Sequence, residues 1–243
     1  MSLAVPASPA TLPSAADRAT AAVAAHDWAE AAQRLDAQGH AVLPGLLDPA
    51  QCRALAGLYP RDDCFRSRVV MARHGFGRGE YKYFAYPLPQ LLAGLRAALY
   101  PHLAPIANRW HRQLGSAASY PDSLQAFLQR CHAAGQRRPT PLLLQYGAGD
   151  YNCLHQDLYG EHVFPLQVAI LLSRPGTDFT GGEFVMAETG SREQRAEVVP
   201  LAQGDAVVFA VNQRPAPGQR GWRKVAMRHG VSRVRTGQRH TAG

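Results

Sequence analysis

Past residue 140 the sequence falls into short apolar or alternating runs, at 141–146, 163–172, 183–187, 196–201, 206–211 and 225–234, each bounded by Gly, Pro, Asn or Asp. Many brief strands with turn punctuation fold as a sandwich or barrel. The first half reads differently. Asp17 is placed to cap a helical stretch running to about Gln38, with Ala22, Val23, Trp28, Ala32 and Leu35 near helical spacing and Gly39 as its stop. His40 to Leu47 reads as a short strand or turn, and Asp48-Pro49 as the cap and first turn of a helix through Tyr59. Strand-like runs then flank a glycine-rich HGFGRGE loop within 61–86. Gln90 to Gln113 is helical but carries Pro101 and Pro105, which predicts a kink or split. Ser123 to Ala134 closes the helical part. No internal repeat is visible. The expected fold is α+β, a helical N-terminal layer packed on an antiparallel β-core.

At 243 residues the chain suits one domain with decorations. No apolar run approaches the ~18 residues of a membrane-spanning helix. Residues 1–16 are rich in Ala, Pro and Ser, lack a basic start and read as an irregular tail rather than a signal peptide. Residues 17–139 then form the helical layer and a substrate-lid region, and 140–243 the catalytic core of a single structural domain. The four cysteines (Cys52, Cys64, Cys131, Cys153) show no paired spacing, so reduced thiols and a cytoplasmic location are expected, with Cys153 a small buried filler. The net charge is +8, and from Arg214 to Arg239 there are seven arginines and one lysine with no acidic residue. A polyanionic partner and plain solubility both fit that bias.

The chemistry concentrates in His155-Gln156-Asp157. In an extended strand, residues two apart share a face, so an imidazole and a carboxylate converge. His229, 74 residues later, reads as the start of another strand, RHGV. Two histidines and one carboxylate on one face of an octahedron leave three positions open, the arrangement of non-haem Fe(II) oxygenases. The same set can also hold zinc with a water.

In order, HQD, FPLQVAILLS, TGGEF, QGDAVVF and RHGVSRVRTGQR resemble the double-stranded β-helix (jelly roll) of 2-oxoglutarate/Fe(II) oxygenases over about residues 141–240. FPLQVAILLSRPGTDFTGGEFVMAE and RHGVSRVRTGQRHT resemble a bacterial family of predicted nucleic-acid oxygenases, similar to the AlkB type of demethylase. The resemblance implies a dioxygenase using Fe(II), 2-oxoglutarate and O2, with release of succinate and CO2. It implies metal ligation by His155, Asp157 and His229. Arg239, ten residues after His229, matches the arginine that binds the distal carboxylate of 2-oxoglutarate, with Arg233 and Arg235 ranked behind it. Tyr146, nine residues before His155, matches a tyrosine that hydrogen-bonds the same co-substrate; filling the core end of a strand is its other reading.

The substrate stays open. Segment 61–86 interleaves Arg61, Arg66, Arg68, Arg73, Arg78 and Lys82 with Phe65, Phe76, Tyr81, Tyr83 and Phe84, which suits a single-stranded or flipped-out nucleic acid and equally a strand with an aromatic core face. TGGEF and the His-to-Arg spacing resemble prolyl-hydroxylase-type members, so a protein side chain or small molecule is the alternative substrate. A non-catalytic, cupin-like metal-binding domain is the remaining one. A membrane partner is not expected, and the oligomeric state is open. Related sequences continue beyond the stretch matching Arg239-His240-Thr241, whereas this chain ends at Gly243. That predicts a short last strand with an exposed or chain-covered edge, and weaker retention of co-substrate.

Overall fold

The computed structural model describes residues 14–158, 162–189 and 193–243. Of the expected tail, residues 1–13 lie outside the described residues, while Ser14 caps the first helix, α1 (Ala15–Ala25), in a box with Asp17. The single helix expected to Gln38 is in fact two. Asp27 accepts hydrogen bonds from the backbones of Ala29 and Glu30 and so starts a second helix, α2 (Trp28–Gln38), which Gly39 ends in the left-handed conformation. β1 (His40–Leu43) follows, then α3 (Pro49–Ala56), with Asp48 as cap and Pro49 in the first turn. β2 (Phe65–Val70), β3 (Gly77–Arg78) and β4 (Glu80–Phe84) come next.

α4 (Gln90–Gln113) runs unbroken through Pro101 and Pro105, contrary to the expected kink or split. Both prolines sit on its exposed side, while Leu92, Leu95, Leu99, Leu103, Ile106 and Trp110 make a continuous buried stripe. Burial of that stripe compensates for the missing N–H groups. α5 (Leu124–Ala133), capped by Ser123, completes the helices. No described helix is long and apolar enough to cross a membrane.

The remaining strands are β5 (Leu142–Tyr146), β6 (Tyr151–His155), β7 (Leu166–Leu171), β8 (Phe179–Gly181), β9 (Phe184–Thr189), β10 (Gln194–Val199), β11 (Ala206–Ala210), β12 (Gln213–Gly218), β13 (Gly221–Val231), β14 (Val234–Gly237) and β15 (Arg239–Ala242). They form two main antiparallel sheets. One has seven strands in the order β1-β11-β7-β15-β5-β4-β2. The other runs β10-β9-β13-β6-β3, with β12 paired to β13. β14 and β8 pair separately. This is the α+β jelly roll with an N-terminal helical layer. The apolar core includes Phe84, Leu143, Phe184, Phe209 and Val225, with Leu35, Leu99 and Trp110 from the helices.

Two expectations about strands need correction. β15 is short, but it is neither an edge nor in need of another chain, because β5 and β7 flank it on both sides. His229 lies near the end of the eleven-residue β13, not at the start of a strand. The polar GWRK stretch hid the first half of β13, since all four of its residues are exposed and no alternating apolar face reveals the strand.

Candidate metal centre and co-substrate cavity

Cross-strand register assembles the site. His155 and His229 are directly opposed across β6 and β13, with ring centroids 4.2 Å apart. Asp157 lies beyond the end of β6 rather than in the strand, so same-face alternation is not what turns it inward. The Gln156 side chain does that: its Nε2 donates to the carbonyls of Asn212 (2.8 Å) and Met227 (2.9 Å), tying the turn to β13. Asp157 thereby faces both imidazoles, with Oδ1 3.6 Å from His155 Nε2 and Oδ2 3.4 Å from His229 Nε2. The ligating atoms of the three residues all lie within 4.8 Å of one another.

Protonation favours a metal here. The Cys153 carbonyl can only accept, so His155 Nδ1 donates to it (2.8 Å) and Nε2 is the nitrogen turned toward Asp157. His229 is 5 % exposed and packs on Phe209 and Phe184. Burial lowers its pKa, with Asp157 opposing, so the ring is neutral near pH 7 and ready to ligate. Burial works against the Asp157 charge. The hydrogen bond from His229, and at acid pH the charge that ring then carries, outweigh it with help from His155 and Gln167 and hold that carboxyl below its usual range. Two neutral nitrogens and one carboxylate fit a divalent ion of the iron type. Cys153 takes no part through its sulfur and is exposed, which corrects the buried-filler expectation.

The second pair is opposed in the same way. Arg239 on β15 faces Tyr146 on β5 in register, and the guanidinium carbon lies 5.6 Å from the tyrosine ring centroid. Arg239 is 2 % exposed and Tyr146 fully buried. Arg239 Nη1 donates to Thr241 Oγ1 (2.6 Å), while Nε has no partner among the described residues, and no carboxylate there forms an ion pair with the guanidinium. Burial drags its pKa down to about 10, offset only partly by Tyr146 and the more distant Glu183. Burial pushes the Tyr146 hydroxyl up, and the approach of Asn152 falls short of a well-formed hydrogen bond. A buried cation and a buried hydroxyl, both with free donors, share one cavity of about 160 Å³ with His155, Asp157 and His229. Arg233 and Arg235, the second-ranked candidates, are exposed.

Gly182 makes room for that arginine. Its φ is +64°, and a Cβ there would stand 3.0 Å from Arg239 Cδ and 2.9 Å from Val234 Cγ2. The TGGEF string thus has a local reason, which sequence reading matched only as a string. Gln156, Gln167, Asn152 and Thr241 were also missed. Thr241 was within reach, because it follows Arg239 by two on the same strand face.

Segment 61–86 lines the cavity with the partly exposed Phe76, Tyr81 and Tyr83 and the buried Met71. Tyr81 and Tyr83 meet edge-on, and Arg66 stacks 4.3 Å over Tyr83. Most cations of this segment are already engaged. Arg61 pairs with Asp63, Arg68 with Glu80 and Lys82 with Asp62. What segment 61–86 offers the cavity is therefore aromatic in character more than basic.

Residues 79–243 match a family described as "oxygenase, catalysing oxidative methylation of damaged DNA". Uncharacterized proteins of Mycobacterium tuberculosis, strains CDC 1551 / Oshkosh and H37Rv, are 51 % identical over 161 residues, covering 66 % of this chain and 69 % of theirs. Among solved structures, a 2OG-Fe(II) oxygenase family oxidoreductase from Burkholderia pseudomallei superposes with a TM-score of 0.53 at 18 % identity, covering 90 % of this chain and 89 % of that one. A prolyl hydroxylase from Trichoplax adhaerens, in complex with a hypoxia inducible factor peptide, gives 0.51 at 12 % identity over 88 % and 86 %. The chain belongs to this oxygenase family and has the fold of the 2-oxoglutarate/Fe(II) oxygenases, the enzyme class that works with Fe(II), 2-oxoglutarate and O2.

Proposed function

We propose that this oxygenase holds Fe(II) through His155, Asp157 and His229, anchors 2-oxoglutarate through Arg239 and Tyr146, and oxidises a methyl C–H bond on a damaged nucleobase. The observation that carries the reading is Arg239, a buried guanidinium without a carboxylate partner, in one cavity with a two-histidine, one-carboxylate donor set. When bound, iron and the keto acid supply the oxidising chemistry, in which O2 is reduced, 2-oxoglutarate leaves as succinate and CO2, and one oxygen atom goes to the substrate.

The chain's own residues bind, orient and exclude water. Asp157 offsets part of the metal charge, and burial keeps His229 neutral. The planar fork of Arg239 suits the distal carboxylate bidentately, and Tyr146 Oη has a proton to donate to it. Phe184 and Phe209 close the apolar side behind His229. Tyr81, Tyr83 and Phe76 offer flat faces to the cavity, which suit a base withdrawn from its stack. The family description points to the same substrate class.

The test is anaerobic reconstitution with Fe(II) and 2-oxoglutarate, followed by O2 in the presence of methylated oligonucleotides, prolyl peptides or free amino acids. Succinate release should rise above background with the methylated oligonucleotide and vanish in Asp157→Ala. Stimulation by peptide or amino acid alone would move the substrate to the protein or small-molecule class and refute the nucleic-acid part.

A further inference from the structure

β13 does two jobs along its length. Its inner part is paired by β9 up to Ala226↔Thr189 and carries His229. Beyond that register the strand pairs, among the described residues, only with β12, from Arg214↔Val225 to Gly218↔Gly221, as a two-stranded arm. Alternation sends Val225, Met227 and His229 into the core, all 5 % exposed or less. It sends Trp222, Lys224 and Arg228 to the opposite, solvent face. Arg223 is exposed on the arm, and Arg220 is exposed in its turn.

Two properties of this arm are not explained by folding. Trp222 is 50 % exposed, although burying an aromatic of that size stabilises a fold by about 2 kcal/mol. Arg220, Arg223, Lys224 and Arg228 form no ion pair or side-chain hydrogen bond among the described residues, unlike the engaged cations of segment 61–86. An unpaired basic stripe around an open indole is the pattern by which proteins hold single-stranded nucleic acid, with phosphates on cations and a base on the ring. Lys224 also borders a second cavity of about 570 Å³, which it shares with His111, Tyr120, Arg130 and Leu158. Leu158 follows the metal-ligand candidate Asp157 in sequence, so this cavity touches the loop that carries Asp157.

Resting on the nucleic-acid reading of the cavity, we infer that Trp222 with Arg220, Lys224 and Arg228 forms a platform for single-stranded nucleic acid flanking the base in the active site. Trp222 and His229 are seven residues apart on β13, about 24 Å at ~3.4 Å per residue, and on opposite faces of it, so the bound strand passes round the arm and meets Trp222 several nucleotides from the reacting base. A single strand is specified because stacking on the indole needs an unstacked base.

The experiment is fluorescence anisotropy of a labelled oligothymidylate with the full chain, across a salt series, without metal or co-substrate. Wild type should bind with an affinity falling steeply with salt, each phosphate contact adding about 0.7 to the log–log slope. Trp222→Ala should weaken binding about 10-fold and Trp222→Phe should restore most of it. Lys224→Gln with Arg228→Gln should flatten the slope by about 1.4. Binding unchanged in Trp222→Ala overturns the platform, as does equal, Trp222-independent binding to heparin or to phosphatidylserine vesicles. The two readings fail separately. A protein that oxidises a methylated dinucleotide but does not bind oligothymidylate loses the platform alone. One whose arm variants behave as stated while no nucleic acid stimulates succinate release loses the cavity reading alone.

Discussion

Arg239 is an expensive residue for the fold. Isolating a guanidinium from water without a counter-ion costs several kcal/mol, and Thr241 and Tyr146 return only part of it. The proposed co-substrate role explains why such a group is kept. Arg239→Met should leave the metal-free protein as stable as wild type or more so, while 2-oxoglutarate affinity falls at least 100-fold; thermal melts and co-substrate titrations measure both. Arg239→Lys should fall between, because an ammonium lacks the bidentate fork. Unchanged co-substrate affinity in both variants would dismiss Arg239 from the role. Gly182→Ala tests the seat of the same side chain. A Cβ at φ +64° against Arg239 Cδ should cost about 1–3 kcal/mol and raise the co-substrate concentration needed for half-maximal turnover. A variant destabilised but unchanged in that concentration would make Gly182 a fold residue only. At this scale the sequence was readable where chemistry restricts the choice of residue: His155, Asp157, His229 and Arg239 stand together in one cavity. Gln156 and Gln167 were invisible, because amides serve too many roles for type or spacing to mark them.

Among the elements, strands carrying an apolar run were readable, the exposed β10 included, and those without one were not. β7, β9 and β11 alternate or run apolar and were found near their true bounds. β12 and the outer half of β13 are rich in Pro, Gly and basic residues, and only their pairing with each other makes them strands. The α1–α2 break was missed because Asp27 looks like any surface carboxylate until its side chain meets the two backbone N–H groups of the next turn. α4 shows the opposite error, a local rule overridden by packing. Pro105 lies on the exposed side, and its ring removes an N–H from the middle of the helix. Replacing it with alanine should restore that bond. About 3 kcal/mol of helix propensity, less up to 1 kcal/mol from a freer unfolded chain, predicts a gain near 2 kcal/mol in denaturant melts. A loss of stability would mean that the helix is bent around Pro105 to suit its neighbours.

Across the molecule, the site draws its members from both sheets. Tyr146 and Arg239 belong to the seven-stranded sheet, His155 and His229 to the other, so metal and co-substrate together would bridge the two layers. A ligand that binds only the folded state stabilises it by about 2.7 kcal/mol at 100 times its Kd. For a chain of this size each kcal/mol raises Tm by roughly 2–4 °C. Mn(II), which takes the same oxygen and nitrogen donors, should therefore raise Tm with 2-oxoglutarate by about 5–10 °C. The full shift should require both components, with a smaller one from Mn(II) alone, because Arg239 holds only one end of the keto acid and the metal donors the other. Asp157→Ala should abolish the shift by leaving two neutral imidazoles and no charge to offset the cation. Arg239→Met should keep the shift from Mn(II) alone and lose the increment from 2-oxoglutarate. A full shift in Asp157→Ala would place the metal elsewhere in the chain, and with it the chemistry assigned to this cavity.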